Sequence, residues 1–244
     1  MSIKVLVNGA FGRMGQLAVK AINENPNLEL VGQTGREYDL LKSIKDSHTD
    51  VVIDFTHPES VAENLKIIIE SGAHPVIGTT GLTAAQVKSF QEKCKELKLG
   101  GIIAPNFSMG AVLMMKAAKE MVKYMPNVEI IEMHHDKKAD SPSGTALRSA
   151  EIMAGAMKEV NQPVKSSIET IKGARGASHH NIPIHAIRLK GFLAHEQIVF
   201  GNTGETLTLR HDSIDRECFM PGVCFACEKV VGLDHLIYGL EELL

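Results

Sequence analysis

Over the first hundred residues, short runs of β-branched and aliphatic residues alternate with longer amphipathic stretches. The short runs have the length of buried strands, and the longer stretches repeat their apolar positions with the period of a helix. This alternation is typical of a parallel sheet whose right-handed crossovers place helices on both faces. Strands are predicted at residues 3–7, 28–32, 51–55, 74–78 and 101–104. Helices are predicted at residues 12–23, 58–71 and 84–97, with Thr83 as the N-cap of the third.

The pattern changes after Asn106. A Met-rich helix is predicted at residues 108–125, followed by a strand at residues 128–133, a polar loop and a second helix. Alternating apolar and polar residues then favour antiparallel strands separated by Gly-containing turns. These strands are predicted at residues 184–189, 196–200 and 206–210.

The change of pattern indicates two domains. Residues 1–106 are predicted to form a dinucleotide-binding domain, completed by residues 216–244, of which 219–244 have a helical pattern. Residues 107–215 are predicted to form a substrate-binding and oligomerisation domain. The predicted fold class is α/β: an N-terminal Rossmann-like, doubly wound parallel sheet plus a second α+β domain with a mixed or antiparallel sheet.

The composition is that of an ordinary globular protein of 244 residues, with 44% hydrophobic and 23% charged residues. A net charge of -3 gives no electrostatic basis for binding nucleic acid or an anionic membrane, because those partners select a basic face. No apolar stretch approaches the roughly 20 residues of a membrane span, and the N-terminal residues lack a signal-peptide pattern. We therefore expect a cytoplasmic protein with a small-molecule ligand.

The four cysteines, Cys94, Cys218, Cys224 and Cys227, do not form a zinc-binding set. Cys224 and Cys227 make a C-x-x-C pair, but neither a second pair nor a histidine cluster stands nearby. We predict reduced, structural thiols on helix faces and no metal site.

A glycine-rich turn, Gly9-Ala10-Phe11-Gly12-Arg13-Met14-Gly15, stands between the first predicted strand and its helix. Glycines at this position allow a tight turn and let backbone N–H groups approach a pyrophosphate at the helix N-terminus. The spacing G-x-x-G-x-x-G departs from the commoner G-x-G-x-x-G. Its position at the first strand-helix junction nevertheless favours a dinucleotide site over a plain packing turn.

The residues after the second strand bear on the choice of cofactor. NAD-binding domains usually carry an acid there for the ribose hydroxyls, but this chain has Gly35 followed by Arg36. Arg36 is predicted to hold a 2′-phosphate, which favours NADPH over NADH; the alternative is a solvated loop arginine. The loops Gly78-Thr79-Thr80-Gly81 and Ala104-Pro105-Asn106-Phe107-Ser108 follow two further strands, where they either contact cofactor or only lead into helices.

A polar loop after residue 133 carries the residues best suited to chemistry. His134 and His135 stand directly at the end of the strand predicted at residues 128–133, and Lys138 follows four residues after His134. Ser143-Gly144-Thr145 then begins a helix, whose free N–H groups and hydroxyls can bind a carboxylate. A proton donor, an ammonium and a helix N-terminus in a dozen residues indicate reduction of a small, acidic, imine-like molecule.

Five motifs follow one another along the chain: G-A-F-G-R-M-G, G-T-T-G, A-P-N-F-S, E-M-H-H-D-K-K-A-D-S-P-S-G-T-A and R-H-D-S. In this order they resemble the bacterial 4-hydroxy-tetrahydrodipicolinate reductase family. The resemblance extends from residue 9 to about residue 231, and the histidine-lysine run is its most specific part. Many members have an acid where this chain has Gly35, which puts a strong preference for NADH in doubt.

The resemblance implies hydride transfer from NADPH or NADH to a cyclic imine, formed from the 4-hydroxy substrate by loss of water. It implies that His134 donates a proton, that Lys138 stabilises negative charge or shares that role, and that His135, Gly144 and Thr145 contact a dicarboxylate substrate. It also implies a homotetramer built through the sheet of the second domain. Cofactor contacts are implied for Gly9, Ala10, Phe11, Gly12, Arg13, Met14, Gly78, Thr79, Thr80, Ala104, Pro105, Asn106 and Phe107.

Three other interpretations fit a nucleotide domain followed by an α+β domain. A semialdehyde dehydrogenase would need a cysteine by the predicted site loops, and none stands there. An amino-acid dehydrogenase would leave the histidine-lysine loop unexplained. A non-catalytic NAD(P)-sensing protein would tend to lose His134 or Lys138, and both are present.

Overall fold

The computed structural model describes residues 2–157 and 168–244. The chain divides into two compact units, one made of Met1–Met109 with Arg216–Leu244 and the other of Gly110–Asp215. No helix in the described ranges is long and apolar enough to cross a membrane.

Strands and helices are numbered separately in chain order. The strands are β1 (Ile3–Asn8), β2 (Leu28–Thr34), β3 (Val51–Asp54), β4 (His74–Ile77), β5 (Gly101–Ile103), β6 (Asn127–His134), β7 (Ala177–His179), β8 (Ile182–Arg188), β9 (Ala194–Asn202), β10 (Glu205–Ser213) and β11 (Leu236–Tyr238). The α-helices are α1 (Arg13–Glu24), α2 (Leu40–Ser47), α3 (Val61–Ser71), α4 (Ala84–Leu97), α5 (Met109–Met121), α6 (Gly144–Ala156) and α7 (Met220–Val230). Short 3₁₀ helices span Arg216–Phe219 and Leu240–Leu243.

The first unit is built on a parallel sheet with the strand order β2-β1-β3-β4-β5-β11. Every residue of β3 is buried, as expected for a strand covered on both faces. The chain moves outward in opposite directions from β1 and β3, so the carboxyl ends of these two strands flank the topological switch point. Ligands of open α/β sheets bind at this point. The Rossmann-like, doubly wound sheet predicted from the sequence is confirmed.

The second unit is built on a mixed sheet with the strand order β10-β9-β6-β8-β7. β6 lies at its centre, antiparallel to β9 and parallel to β8. The helices α5 and α6 and the sheet share one apolar cluster, which includes Met114, Met153, Ile130 and Phe200. The second α+β domain with a mixed sheet is therefore confirmed, although the purely antiparallel pairing predicted from residue 184 onward is wrong for β8.

Several predicted element bounds differ from the structure. The Met-rich helix, predicted to reach residue 125, ends at Met121 and continues as turns. The C-terminal residues, predicted to be helical throughout, include β11, which pairs with β5 as the edge of the first sheet. The sequence prediction also omitted α2 and β7. Thr83 caps α4 as predicted, and its side chain forms a capping box with Gln86.

The cysteines are free thiols, as predicted. Cys94 lies on the buried face of α4 in an apolar cluster, and burial raises the pKa of its thiol to about 11. Cys224 and Cys227 are buried on α7, where desolvation also raises their pKa values. Cys218 is half-buried in the 3₁₀ helix that precedes α7. A high pKa keeps a thiol protonated at neutral pH, so three of these side chains act as packing residues.

Candidate active site

The glycine turn joins β1 to α1 and could not form with side chains at Gly9 or Gly15. Gly9 has φ 83°, and a Cβ added there would lie 2.3 Å from the carbonyl oxygen of Phe55. A Cβ at Gly15 would lie 2.0 Å from the carbonyl oxygen of Gly9. Gly12 is the N-cap of α1 and provides no side-chain cap, so the first N–H groups of the helix are open to an anion.

A cavity of about 710 Å³ opens in front of this turn, within the first unit. Gly9, Phe11 and Gly12 line one side, and Arg36 lines it from the loop after β2. The rings of Phe11 and Tyr38 stack with centroids 5.8 Å apart, and both side chains are more than half exposed. The cavity thus combines a helix N-terminus, a cation and exposed aromatic surface.

Asp54, at the end of β3, holds together the carboxyl ends of three neighbouring strands. It is fully buried, and its carboxylate accepts hydrogen bonds from Asn8 Nδ2 at 2.9 Å and from Thr79 Oγ1 at 2.6 Å. Thr56 donates to it through both its backbone N–H and its hydroxyl. The hydroxyl of Thr79, predicted to contact cofactor, is therefore engaged in fixing this edge of the sheet.

The other predicted cofactor residues lie in the first unit at the same edge. Gly78 packs against Phe55, since an added Cβ would lie 2.1 Å from that ring. Phe107 is buried, and its ring meets the Phe55 ring edge-on with the centroids 6.1 Å apart. Ala104, at the start of the same loop, is also buried. Thr80 and Pro105 are exposed. Asn106 Oδ1 accepts the backbone N–H of Ser108, which shapes the turn into α5.

The geometry of the glycine turn between β1 and α1 suits a bound dinucleotide. Gly9 and Gly12 bring backbone to the wall of the cavity at the switch point, and Arg36 supplies positive charge at its edge. Arg13 and Met14 begin α1 and could hold a pyrophosphate through their N–H groups.

In the second unit, the predicted proton donor His134 is held by a buried carboxylate. His134 is the last residue of β6, and its Nδ1 lies 2.6 Å from Oε2 of Glu132. Arg188, at the end of the parallel strand β8, makes a bidentate contact with the same carboxylate at 2.7 and 2.8 Å. Burial alone would raise the pKa of Glu132, but hydrogen bonds from His134 and Arg188 and the charge of Arg188 lower it to about 2.

The predicted substrate residues lie in the loop and helix that follow. Lys138 Nζ contacts both carboxylate oxygens of Asp140 at 2.7 Å, and the carbonyl oxygen of Asp140 accepts from Arg188 at 2.7 Å. This contact connects the Lys138 loop to the Glu132 cluster. His135 is half-buried, and its carbonyl oxygen accepts the N–H of Lys138.

The start of α6 joins the same cluster. The backbone N–H of Ser143 donates to Oε1 of Glu132 at 3.1 Å, and Ser143 caps α6 by accepting from the N–H of Ala146. Gly144 faces open space, where an added Cβ would meet no atom within 4 Å, and Thr145 follows on the first turn. Thus His134, Lys138 and the helix N-terminus are brought together in the second unit.

A second buried acid, Glu196, lies directly opposite Glu132 in the register between β9 and β6. One oxygen accepts from Ser149 Oγ at 2.5 Å, while Oε2 has no partner among the described residues. Desolvation raises the pKa of Glu196 to about 7, and the negative charge of Glu132 adds to the increase. Glu196 therefore keeps its proton under conditions in which Glu132 is ionised.

Glu196→Gln is expected to stabilise the protein increasingly as pH rises. The folded protein holds the Glu196 proton up to about pH 7, whereas the unfolded chain releases it above the ordinary value of 4.5. The free energy of unfolding of the wild type therefore decreases as the pH rises from 4.5 to about 7, and the glutamine variant avoids that decrease. Urea unfolding measures the free energy of unfolding of both proteins. Relative to the wild type, the pH-dependent advantage of the variant should be absent near pH 4 and reach about 3 kcal/mol above pH 7. Parallel stability-pH curves would contradict the raised pKa.

Sequence reasoning missed four residues that organise the site: Asp54, Glu132, Glu196 and Arg188. A signal for two of them exists in the strand pattern. Val128, Ile130 and Glu132 fall on one face of β6, and the apolar face of β9 likewise begins with Glu196. An acid that continues an apolar face is buried, so it needs a partner or a proton.

Comparisons with known proteins cover the whole chain. A model described as "Dihydrodipicolinate reductase, N-terminus" matches residues 3–107, and one described as "Dihydrodipicolinate reductase, C-terminus" matches residues 110–244. A 4-hydroxy-tetrahydrodipicolinate reductase of Coxiella burnetii (strain Dugway 5J108-111) is 54% identical over 246 residues, covering 100% of both chains. One of Legionella pneumophila (strain Lens) is 50% identical with the same coverage. A solved structure of dipicolinate-bound dihydrodipicolinate reductase from Paenisporosarcina sp. TG-14 has a TM-score of 0.90, with 42% identity and 100% coverage of both chains.

The first unit has a parallel sheet with a glycine turn at its switch point. The second unit carries a lysine, a helix N-terminus and a histidine fixed by a carboxylate. With the comparisons, these features identify a Rossmann-type NAD(P)H-dependent oxidoreductase. Within this class, the chain belongs to the dihydrodipicolinate reductase family. The resemblance inferred from the five sequence motifs is confirmed.

Proposed function

We propose that the chain reduces 4-hydroxy-tetrahydrodipicolinate to tetrahydrodipicolinate with NAD(P)H and loss of water, in the biosynthesis of diaminopimelate and lysine. The full-length identity of 54% to a reductase of this name carries the proposal. The related Paenisporosarcina reductase is dipicolinate-bound, which supports a dicarboxylate ligand for this chain. Full-length matches to reductases do not favour another dehydrogenase or a sensing protein.

Substrate binding is assigned to the start of α6 and to His135. The N–H groups of Gly144 and Thr145 and the hydroxyl of Thr145 suit one carboxylate, because helix N-termini attract anions. Gly144 has open space beside it, which leaves room for a ligand to approach the backbone. His135 follows His134 directly and is half-buried at the same loop.

The chemistry requires a hydride and a proton. The nicotinamide, when bound, supplies the hydride to the cyclic imine that forms from the substrate by loss of water. The enamine-like centre left by hydride addition takes up a proton, which we assign to His134, since an imidazole can exchange protons near neutral pH. Lys138 places an ammonium in the same loop, where it stabilises negative charge on the ring or its carboxylate, or shares the donor role.

We infer that NADPH is favoured and that NADH is accepted. The end of β2 is followed by Gly35 and Arg36, so the acid typical of NAD-selective domains is missing from that position. Arg36 is exposed and lines the cavity of the glycine turn, where a guanidinium suits the 2′-phosphate of NADPH.

Arg36→Ser is expected to raise the KM for NADPH by roughly 10- to 100-fold, because a charge-assisted hydrogen bond contributes about 1.5–3 kcal/mol. The KM for NADH should change little, since NADH has no 2′-phosphate. Steady-state assays with both cofactors measure this ratio. Lys42→Ser is the matched control, as it removes an exposed cation from nearby α2 that does not line the cavity. An equal change for both cofactors would contradict the role of Arg36.

We also propose a cytoplasmic homotetramer, assembled through the sheet of the second unit. Ile187, on the face of β8 opposite the buried Ile182 and Ile184, and Leu189, just beyond the strand, expose large apolar side chains, as expected for surface that a second copy covers. Light scattering coupled to size exclusion measures the assembly, and a monomeric mass would contradict it.

A further inference from the structure

The carboxylate of Glu132 receives hydrogen bonds from three separate segments. Oε2 faces Nδ1 of His134 and Nη1 of Arg188, and Oε1 faces Nη2 of Arg188 and the backbone N–H of Ser143. The side chain has no exposed surface, so water does not compete for these contacts. Each oxygen thus has two donors, and no acceptor position is left for a further partner.

This arrangement fixes the tautomer of His134. An ionised carboxylate only accepts hydrogen bonds, so the proton in the 2.6 Å contact belongs to Nδ1 of the ring. In the neutral imidazole Nε2 then carries no proton, and in the imidazolium Nε2 carries the proton that can leave. Nε2 is therefore the ring nitrogen able to exchange a proton with a ligand, while Nδ1 keeps its own.

We propose that Glu132 is a positioning residue of the reaction: it holds the Nδ1–H of His134 so that Nε2 delivers the proton, and Arg188 in turn fixes Glu132. This inference rests on the proposed function and extends it to a residue that does not itself touch substrate. The bidentate Arg188 contact keeps the carboxylate plane fixed, and the same guanidinium binds the carbonyl oxygen of Asp140 in the Lys138 loop.

A glutamine at position 132 could not reproduce these contacts. Its amide has one acceptor oxygen, and its NH₂ group would face Arg188 in either orientation. An NH₂ placed beside His134 would require Nδ1 to accept, which moves the neutral proton to Nε2. An NH₂ placed beside Ser143 would leave the backbone N–H of Ser143 and an N–H of Arg188 Nη2 without their acceptor.

Glu132→Gln is expected to lower kcat by roughly 10- to 100-fold or more, since losses of that size follow removal of a carboxylate that orients a metal-bound histidine and larger ones occur for a general-base histidine. The matched control is Glu129→Gln on the same strand, where Glu129 contacts His185 at 2.7 Å and Arg175 in a similar cluster outside the proposed site. The control should retain wild-type kcat once light scattering shows the wild-type mass, because Glu129 shares a sheet face with Ile187 of the proposed interface. In a His134→Gln background, Glu132→Gln should cause no further loss, because its effect passes through His134.

Each result decides between the proposals. Equal losses from Glu132→Gln with and without His134 would show a structural role and overturn the positioning inference. If kcat falls in His134→Gln but stays at the wild-type value in Glu132→Gln, the positioning inference is overturned and the proposed function stands. Wild-type kcat in His134→Gln would overturn the donor role in the proposed function, and the inference with it.

A spectroscopic measurement on the wild-type enzyme does not depend on the folding of Glu132→Gln. Proteins labelled with ¹⁵N-histidine should show neutral His134 as the Nδ1–H tautomer, with the signal assigned by its absence in His134→Gln. An Nε2–H tautomer in the wild type would overturn the inference even if Glu132→Gln did not fold.

Discussion

His134→Gln is expected to lower kcat by about 100- to 10,000-fold, the contribution typical of a general acid. Glutamine keeps a hydrogen-bonding group near Glu132, but its amide cannot supply a proton at neutral pH. The KM for the dicarboxylate substrate should change much less, because the carboxylate contacts assigned to α6 stay in place. Steady-state kinetics at saturating NADPH measure both constants.

His185→Gln is the matched control for this variant. Its Nε2 contacts Glu129 at 2.7 Å, so the two histidines have similar carboxylate partners, but His185 lies outside the proposed site. The control should keep wild-type kcat. Wild-type turnover in His134→Gln, or equal losses in the two variants, would contradict the assignment of His134 as proton donor.

Lys138→Ala is expected to lower kcat/KM by about 100- to 1,000-fold, the cost typical of losing one preorganised charge at a reacting group. Both constants should worsen, since an ammonium held by Asp140 would attract the anionic substrate and stabilise charge during the reaction. Lys137→Ala is the control, because it removes an exposed ammonium from the adjacent position. Equal effects of the two variants would show that Lys138 contributes only a general electrostatic attraction for anions, which would contradict its specific role.

The two variants also separate the possible proton donors. If Lys138 delivers the proton, its removal should lower kcat more than the loss of His134 does. If His134 delivers it, the order is reversed, and Lys138→Ala should be distinguished by a higher KM for the substrate.

The parallel sheet could be predicted from sequence because its strands are nearly continuous apolar runs separated by helical periods. β11 could not, since three residues, Leu236–Tyr238, are too few to show a period and follow a segment with a helical pattern. α2 did carry a signal, as Asp39 caps it and Leu40 and Ile44 lie one turn apart. The parallel pairing of β8 with β6 was not predictable from alternation, which shows which face is buried but not the partner strand.

The site was predictable where local chemistry requires particular residues. The glycine turn is one such case, because Gly9 and Gly15 have no room for a Cβ. The partners of the predicted residues were not predictable, because the Glu132 cluster joins Arg188, 56 positions away, through pairing of β6 with β8. Long-range pairing of this kind is set by the fold, so His134 could be named from sequence while its tautomer could not.

The most direct test of the reductase function is the loss of reduced-nicotinamide absorbance when purified protein meets its substrate. The substrate is made freshly from pyruvate and aspartate semialdehyde by the preceding synthase, and NADPH and NADH are compared in parallel. We expect rapid oxidation with both cofactors and a higher kcat/KM with NADPH. Binding of both nucleotides without any oxidation would contradict the reductase function.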